Sequence, residues 1–220
     1  MKKCLILANG DAPPKSVITY LQKTGYSTLI CADGGANTAF KMNLIPDFII
    51  GDFDSITDES FDFFESKTKF IKLNRQNDTD VEKALKLAIS KKYSEAILLG
   101  ATGDRLDHSF CNIGVLLKFS DRINTAMMHQ KSFMKVYQST ITLNTEIGEI
   151  ISLYGIDKKT KISTTGLKYK LNNESLPFGV SESTSNVAMS SKVSIKISKG
   201  KILIVRDYEV LKRNDFFRHT

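Results

Sequence analysis

Aspartates and glycines recur in tight groups along the first half of this 220-residue chain: Asn9-Gly10-Asp11, Asp33-Gly34-Gly35-Ala36-Asn37, Gly51-Asp52-Phe53-Asp54-Ser55, Asp78-Thr79-Asp80, and the run from Gly100 through Gly103, Asp104, Arg105 and Asp107 to His108. Any one group reads as a turn, because Asp-Gly and Asn-Gly are ordinary loop residues. As a set they imply chemistry. Carboxylates gathered in one place repel and raise one another's pKa unless something positive compensates. Aspartate oxygens without accompanying His or Cys ligands suit a hard cation, Mg²⁺, shared with substrate phosphates. Asp52 and Asp54 are two residues apart, so in an extended strand both would face one side, and at a strand end they could share or bracket one metal ion. Asp80 opens a helix, where a carboxylate gains from the helix dipole. Arg105 and Asp107 follow a glycine-rich turn at another helix start, a setting for a phosphate held by backbone N–H groups and a guanidinium. The alternative for Arg105 is an ion pair with Asp104 or Asp107.

The elements that would position these groups follow from apolar patterning. Short apolar runs at residues 4–8, 28–32, 48–50, 70–73, 96–99 and 125–128 read as buried strands. A helix is predicted over 80–91, with Val81, Ala84, Leu85, Ala88 and Ile89 at helical spacing and Asp78 or Thr79 placed to cap it. A second is predicted over 107–119 with Phe110, Ile113 and Leu117 on one face. Strands alternating with helices imply an α/β domain, a mostly parallel Rossmann-like sheet with helices on both faces, whose carboxyl edge is where ligands bind. The polar groups fall at that edge. After about residue 130 the pattern becomes period two, at 139–143, 149–154, 193–197 and 201–205, punctuated by Gly148, Gly155, Gly166, Gly179 and Gly200. A C-terminal antiparallel β-sandwich is expected there, giving domains at 1–130 and 131–220.

Composition narrows the function classes. The net charge of +7 lies wholly in the second half: residues 1–125 carry 16 basic and 16 acidic side chains, and 126–220 carry 15 against 8. The lysines there are spread over alternating strands, as solvated sheet faces would spread them, rather than in Arg-rich runs. Neither a nucleic-acid partner nor a membrane is expected, and a cytoplasmic location is, since no apolar run is long enough to span a bilayer and the N-terminal apolar stretch is too short for a signal peptide. Cys4, Cys31 and Cys111 show no CxxC spacing and sit in apolar segments, which fits a reducing compartment and not a zinc site. Neither GxxxxGK[ST] nor GxGxxG occurs. His108, a lone histidine at a helix start, reads as structural.

In order and approximate spacing, the Asp33–Asn37 group, Pro46-Asp47 ahead of Gly51–Ser55, Asp78-Thr79-Asp80, and Gly100-x-x-Gly103-x-Arg105-x-Asp107-His108 resemble the thiamine pyrophosphokinase family. Thr165-Gly166-Leu167-Lys168-Tyr169-x-Leu171 and Ser183-Thr184-Ser185-Asn186 resemble that family's thiamine-binding β domain, so the likeness covers nearly the whole chain. It implies that ATP and thiamine give thiamine diphosphate and AMP with Mg²⁺, in a homodimer with active sites at the subunit interface. It further implies Asp33, Asp52, Asp54 and Asp80 as catalytic residues, the last three of them on the metal. Arg105 and Asp107 are implied on the nucleotide side, where Asn9, Gly34, Asn37 and Gly103 are also expected. Gln76, Ser185 and Asn186 are implied on the thiamine side. The chain departs from the pattern in having no Trp, so no indole can stack on thiamine, and in placing Val187 after Asn186 where many bacterial members have Glu.

Thiamine's hydroxyl would attack the β-phosphorus of ATP, with Asp80 or Asp54 to orient or deprotonate it. Two other readings stay open from the residues alone. Phe48–Ser55 resembles the apolar strand and DxD of haloacid-dehalogenase-like phosphatases, with Asp52 as nucleophile; and the basic second half could serve a non-enzymatic nucleotide- or RNA-binding module.

Overall fold

The computed structural model describes residues 2–73 and 77–218, and it divides into two compact units, Met1–Gln130 and Lys131–Thr220. The first alternates β1 (Lys3–Leu7), α1 (Lys15–Lys23), β2 (Thr28–Ala32), α2 (Gly35–Lys41), β3 (Phe48–Gly51), α3 (Asp58–Glu65), β4 (Lys69–Lys72), α4 (Asp80–Ser90), β5 (Glu95–Leu99), α5 (Leu106–Phe119) and β6 (Asn124–His129). Its strands run in the order β6-β5-β1-β2-β3-β4, and every pairing is parallel. Strands covered on both faces must be apolar on both, and β5 is buried at every position. The chain steps outward from β1 to β4, and α4 then carries it back across β1, β2 and β3 to place β5 on the other side of β1. That reversal opens a crevice at the carboxyl ends of β1 and β5. Helix α2 packs on α3 and α4 on α5, and right-handed crossovers put the two pairs on opposite faces of the sheet.

Helix α4 forms where its pattern predicts. Thr79 caps it by accepting a hydrogen bond from Glu82 N at 3.3 Å, and Val81, Ala84, Leu85 and Ala88 are buried. Helix α5 buries Asn112, Val115, Leu116 and Phe119; of the three apolar residues expected to share a face, Ile113 and Leu117 are half-buried and Phe110 is 64% exposed. The buried Asn112 interrupts the apolar stripe, and its Nδ2 donates to the Ala101 carbonyl oxygen at 2.7 Å, so the polar residue that obscures the pattern ties the helix to the loop after β5.

The second unit holds β7 (Ser132–Tyr137), β8 (Ile141–Asn144), β9 (Ile150–Gly155), β10 (Ile162–Thr165), β11 (Ser183–Val187), β12 (Lys192–Ile197), β13 (Ile202–Asp207) and α6 (Tyr208–Arg213). Its strands form the antiparallel arrays β11-β9-β13-β7 and β10-β12-β8. Alternate residues of both arrays, including Ile151, Leu153, Val193, Ile195, Ile202 and Ile204, meet in one core. Arg206 of β13 is buried in this unit, its Nε donating to Glu149 Oε1 at 2.6 Å and its Nη2 to the Asn144 carbonyl oxygen at 2.6 Å, which links the two arrays through one guanidinium.

Candidate active site

The carboxyl edge of the parallel sheet gathers the acidic residues. Asp33, Asp52 and Asp54 each offer an oxygen within 4.8 Å of the others'. The Asp52–Asp54 spacing does not come from an extended strand, because β3 stops at Gly51 and Phe53 has φ 69°. Such a conformation in a phenylalanine is strained and must be held in place. It is held by the Phe53 ring, packed 5.5 Å from that of Phe70 and 6.4 Å from that of Phe61. The two aspartates are thus aimed by a turn whose middle residue is anchored in an aromatic cluster.

Asp33 follows β2 at φ 42° and is 2% exposed. Its Oδ2 accepts from Ser55 N at 3.1 Å. Burial, followed by the nearby Asp80 charge, pushes its pKa from 3.8 up to about 6. Asp54 is exposed and is held below the usual carboxylate range, chiefly by the Ser55 hydroxyl and then by Asp33. Two buried carboxylate oxygens, Asp33 Oδ1 and Asp52 Oδ1, have no hydrogen-bond partner among the described residues. Orphaned acceptors are costly unless a cation meets them, so the donor set fits a divalent ion with oxygen preference.

Asp80 is not part of this trio. It faces Lys83, a residue that sequence reasoning missed. Lys83 Nζ lies 2.8 Å from Asp80 Oδ1 and 3.6 Å from Asp52 Oδ2, with a side chain only 3% exposed. Burial alone would lower the ammonium's pKa, but the Asp80 hydrogen bond and the Asp80 and Asp52 charges outweigh it and raise the pKa.

A cleft of about 520 Å³ adjoins the acidic group, lined among others by Asn9, Gly34, Asp80, Gly103, Arg105 and Asp107. Gly34 leaves room for its neighbour across the cleft floor, since a Cβ there would lie 2.6 Å from Asn9 Cγ. Arg105 forms the ion pair that was its alternative role, Nη2 to Asp107 Oδ2 at 2.6 Å, with both side chains largely exposed at the start of α5. Asn37 is not among the cleft-lining residues. Its Nδ2 donates to the Ser55 carbonyl oxygen at 2.8 Å and its Oδ1 accepts from Thr57 N at 3.0 Å, so the amide holds the loop after the acidic pair.

In the second unit, Ser185 is exposed at φ 55°, within an irregularity in the β11–β9 register. Asn186 is 1% exposed. Its Oδ1 accepts from Tyr169 N at 3.0 Å and its Nδ2 donates to the Tyr169 carbonyl oxygen at 2.7 Å and to Ser183 Oγ at 3.0 Å. The buried amide therefore fixes the backbone of Tyr169, whose side chain is presented outward at 60% exposure. Gln76 lies outside the described residues.

A family model described as "Thiamin pyrophosphokinase, catalytic domain" matches residues 21–128, and one described as "Thiamin pyrophosphokinase, vitamin B1 binding domain" matches 138–202. The chain is similar to a thiamine pyrophosphokinase of Bacillus subtilis (strain 168), at 30% identity covering 94% of this chain and 99% of that one. It is also similar to thiamine pyrophosphokinase 2 of Oryza sativa subsp. japonica, at 30% identity covering 76% of this chain and 73% of the relative. The solved structure of a Bacillus subtilis thiamine pyrophosphokinase shares the fold, with a TM-score of 0.78 at 23% identity, covering 93% of this chain and 99% of that one.

Proposed function

The chain belongs to the thiamin pyrophosphokinase family, and on that premise we propose that it transfers the diphosphate group of ATP to the hydroxyl of thiamine, giving thiamine diphosphate and AMP. In this step a bond forms between the thiamine oxygen and the β-phosphorus, the bond from that phosphorus to the oxygen bridging to the α-phosphorus breaks, and the hydroxyl proton passes to a base. The observation that carries the reading is the pair of orphaned carboxylate oxygens of Asp33 and Asp52, with Asp54 beside them and a polar cleft alongside. Family membership sets aside the phosphatase reading of Asp52 and the non-enzymatic binding module.

The family's kinase chemistry uses a divalent metal, with ATP and thiamine as substrates. Mg²⁺ is the ion proposed here, with Asp33, Asp52 and Asp54 the residues that would hold it; when bound it neutralises charge on the polyphosphate. Asn9, Gly34 and Gly103 border the bound nucleotide in this reading. The amides at the start of α5 and the Arg105 guanidinium, oriented by Asp107, stabilise phosphate charge. Asp80, which lines the cleft, is proposed to take the hydroxyl proton. The first unit thus serves ATP and metal and the second serves thiamine. The exposed Tyr169 ring, which has the Lys168 ammonium 5.4 Å from its centroid, would offer its face to the thiazolium cation in exchange for that contact, with Ser185 as a neighbouring polar contact. Asn186, expected on the thiamine side, also fixes the Tyr169 backbone.

A homodimer with active sites at the subunit interface and a cytoplasmic location complete the proposal. Among the described residues no helix is long and apolar enough to cross a membrane, and the exposed Ile147, Ile150 and Met189 supply apolar surface for a second copy. Product identification tests the function. Incubation of the full chain with thiamine, ATP and MgCl₂ should give AMP and thiamine diphosphate in equal amounts by mass spectrometry, whereas ADP, or phosphate release independent of thiamine, would refute it.

A further inference from the structure

Lysine is the residue type least expected inside a protein, because desolvating an ammonium is costly unless partners offset it. Lys83 is inside, on the first turn of α4, and its two carboxylate partners come from different elements: Asp80 from its own helix and Asp52 from the turn after β3. Asp52, one of its partners, also belongs to the group it forms with Asp33 and Asp54, whose oxygens lie within 4.8 Å of one another, and the Lys83 charge reaches Asp54 as well. If packing were the only demand, the unbranched apolar stem of methionine would meet it. The charge has two consequences that the stem lacks. It draws the start of α4 onto the β3 turn, fixing the Asp52 and Asp80 carboxylates in one arrangement, and it opposes any second cation placed against Asp52.

We infer that Lys83 is a positioning residue that holds Asp52 and Asp80 together and weakens the site's hold on a free divalent cation, so that the cation is taken up together with nucleotide phosphates rather than alone. The inference rests on the proposed metal-dependent reading of the site. A dication bound by Asp33, Asp52 and Asp54 meets a net charge that Lys83 makes one unit less negative. Phosphate oxygens arriving with the cation restore the missing negative charge. The carboxylates therefore remain ordered before the cation arrives, and they do not trap it unproductively.

The test is titration with Mn²⁺ alone, in the absence of nucleotide, with free Mn²⁺ read by electron paramagnetic resonance. Wild type, Lys83→Met, Lys83→Gln and Lys83→Arg are compared. Removal of the charge in the Met and Gln variants should tighten Mn²⁺ binding about tenfold, and the Arg variant should bind as wild type does. In turnover, the Met and Gln variants should lose kcat about tenfold or more without a higher KM for thiamine, with recovery in the Arg variant. Unchanged or weaker Mn²⁺ binding in whichever neutral variant folds, as judged by circular dichroism, would overturn the role of Lys83. A wild-type chain that neither binds Mn²⁺ nor makes thiamine diphosphate would instead remove the functional reading, and this inference with it.

Discussion

The Asn37 side chain closes on Ser55: its Nδ2 donates to the Ser55 carbonyl oxygen at 2.8 Å, while its Oδ1 accepts from Thr57 N at 3.0 Å. One amide from α2 thereby fixes the loop that carries Asp52 and Asp54. Asn37→Ala should cost about 1–2 kcal/mol in stability, as the loss of such hydrogen bonds does. It should also raise the KM for Mg·ATP severalfold, because the carboxylates are no longer held for the metal. Thermal melts and initial rates at varied Mg·ATP check this, and an unchanged KM would show that the loop needs no such tether.

Asp54 is exposed, and the Ser55 hydroxyl that donates to its Oδ1 at 2.8 Å can donate equally to an amide oxygen. Asp54→Asn therefore removes charge without leaving a hole. The expected outcome is a kcat lower by about a hundredfold or more, with an unaltered circular dichroism spectrum. Measured turnover within a few fold of wild type would exclude Asp54 from the metal site.

The buried Asp33 carboxyl gives a pH dependence of definite sign. Its pKa is raised in the folded chain to about 6 from 3.8, so the folded state binds its proton more readily than the unfolded state does. The ionised group consequently costs stability above pH 6, and that cost fades as pH falls from about 6 toward 4. In chelator, Asp33→Asn should be more stable than wild type at pH 8 by on the order of 2 kcal/mol, and the difference should shrink toward zero near pH 4. Urea melts of both proteins across this range measure it; a difference that grows on acidification would reverse the assignment.

The Tyr169 ring is 60% exposed and has the Lys168 ammonium 5.4 Å from its centroid, a surface contact of small worth, so Tyr169→Ala should leave the melting temperature nearly unchanged. Loss of a cation–π contact with the thiazolium ring should raise the KM for thiamine about tenfold and leave that for ATP as it was. Steady-state kinetics in both substrates separates this from a general loss of activity.

The strands of the first unit were legible because a parallel sheet covered on both sides demands uninterrupted apolar runs, and helix α4 because Thr79 and the stripe below it mark its start and its face. The acidic cluster was legible because glycine and aspartate recur at successive strand ends, the edge where an open parallel sheet binds its ligands. Other features depended on information that a linear pattern does not hold. The geometry of Asp52 and Asp54 comes from the left-handed Phe53 and its distant partners Phe61 and Phe70. Asn37 and Asn186 read from the sequence as ligand contacts, and the bonds that their amides make to neighbouring backbone and hydroxyl groups could not be read from it. Lys83 was invisible because a lysine on a helix reads as solvated, and only the packing of α4 against the β3 turn buries it.

Phe53 stands in the chain between the carboxylates of Asp52 and Asp54, and its ring is packed against α3 and β4 through Phe61 and Phe70. The acidic turn therefore cannot loosen by itself, since releasing either aspartate means withdrawing the ring from its neighbours. The acidic turn and this aromatic cluster are thus one packing unit, so truncating Phe61 or Phe70, neither of which carries a charge, should loosen the proposed metal site.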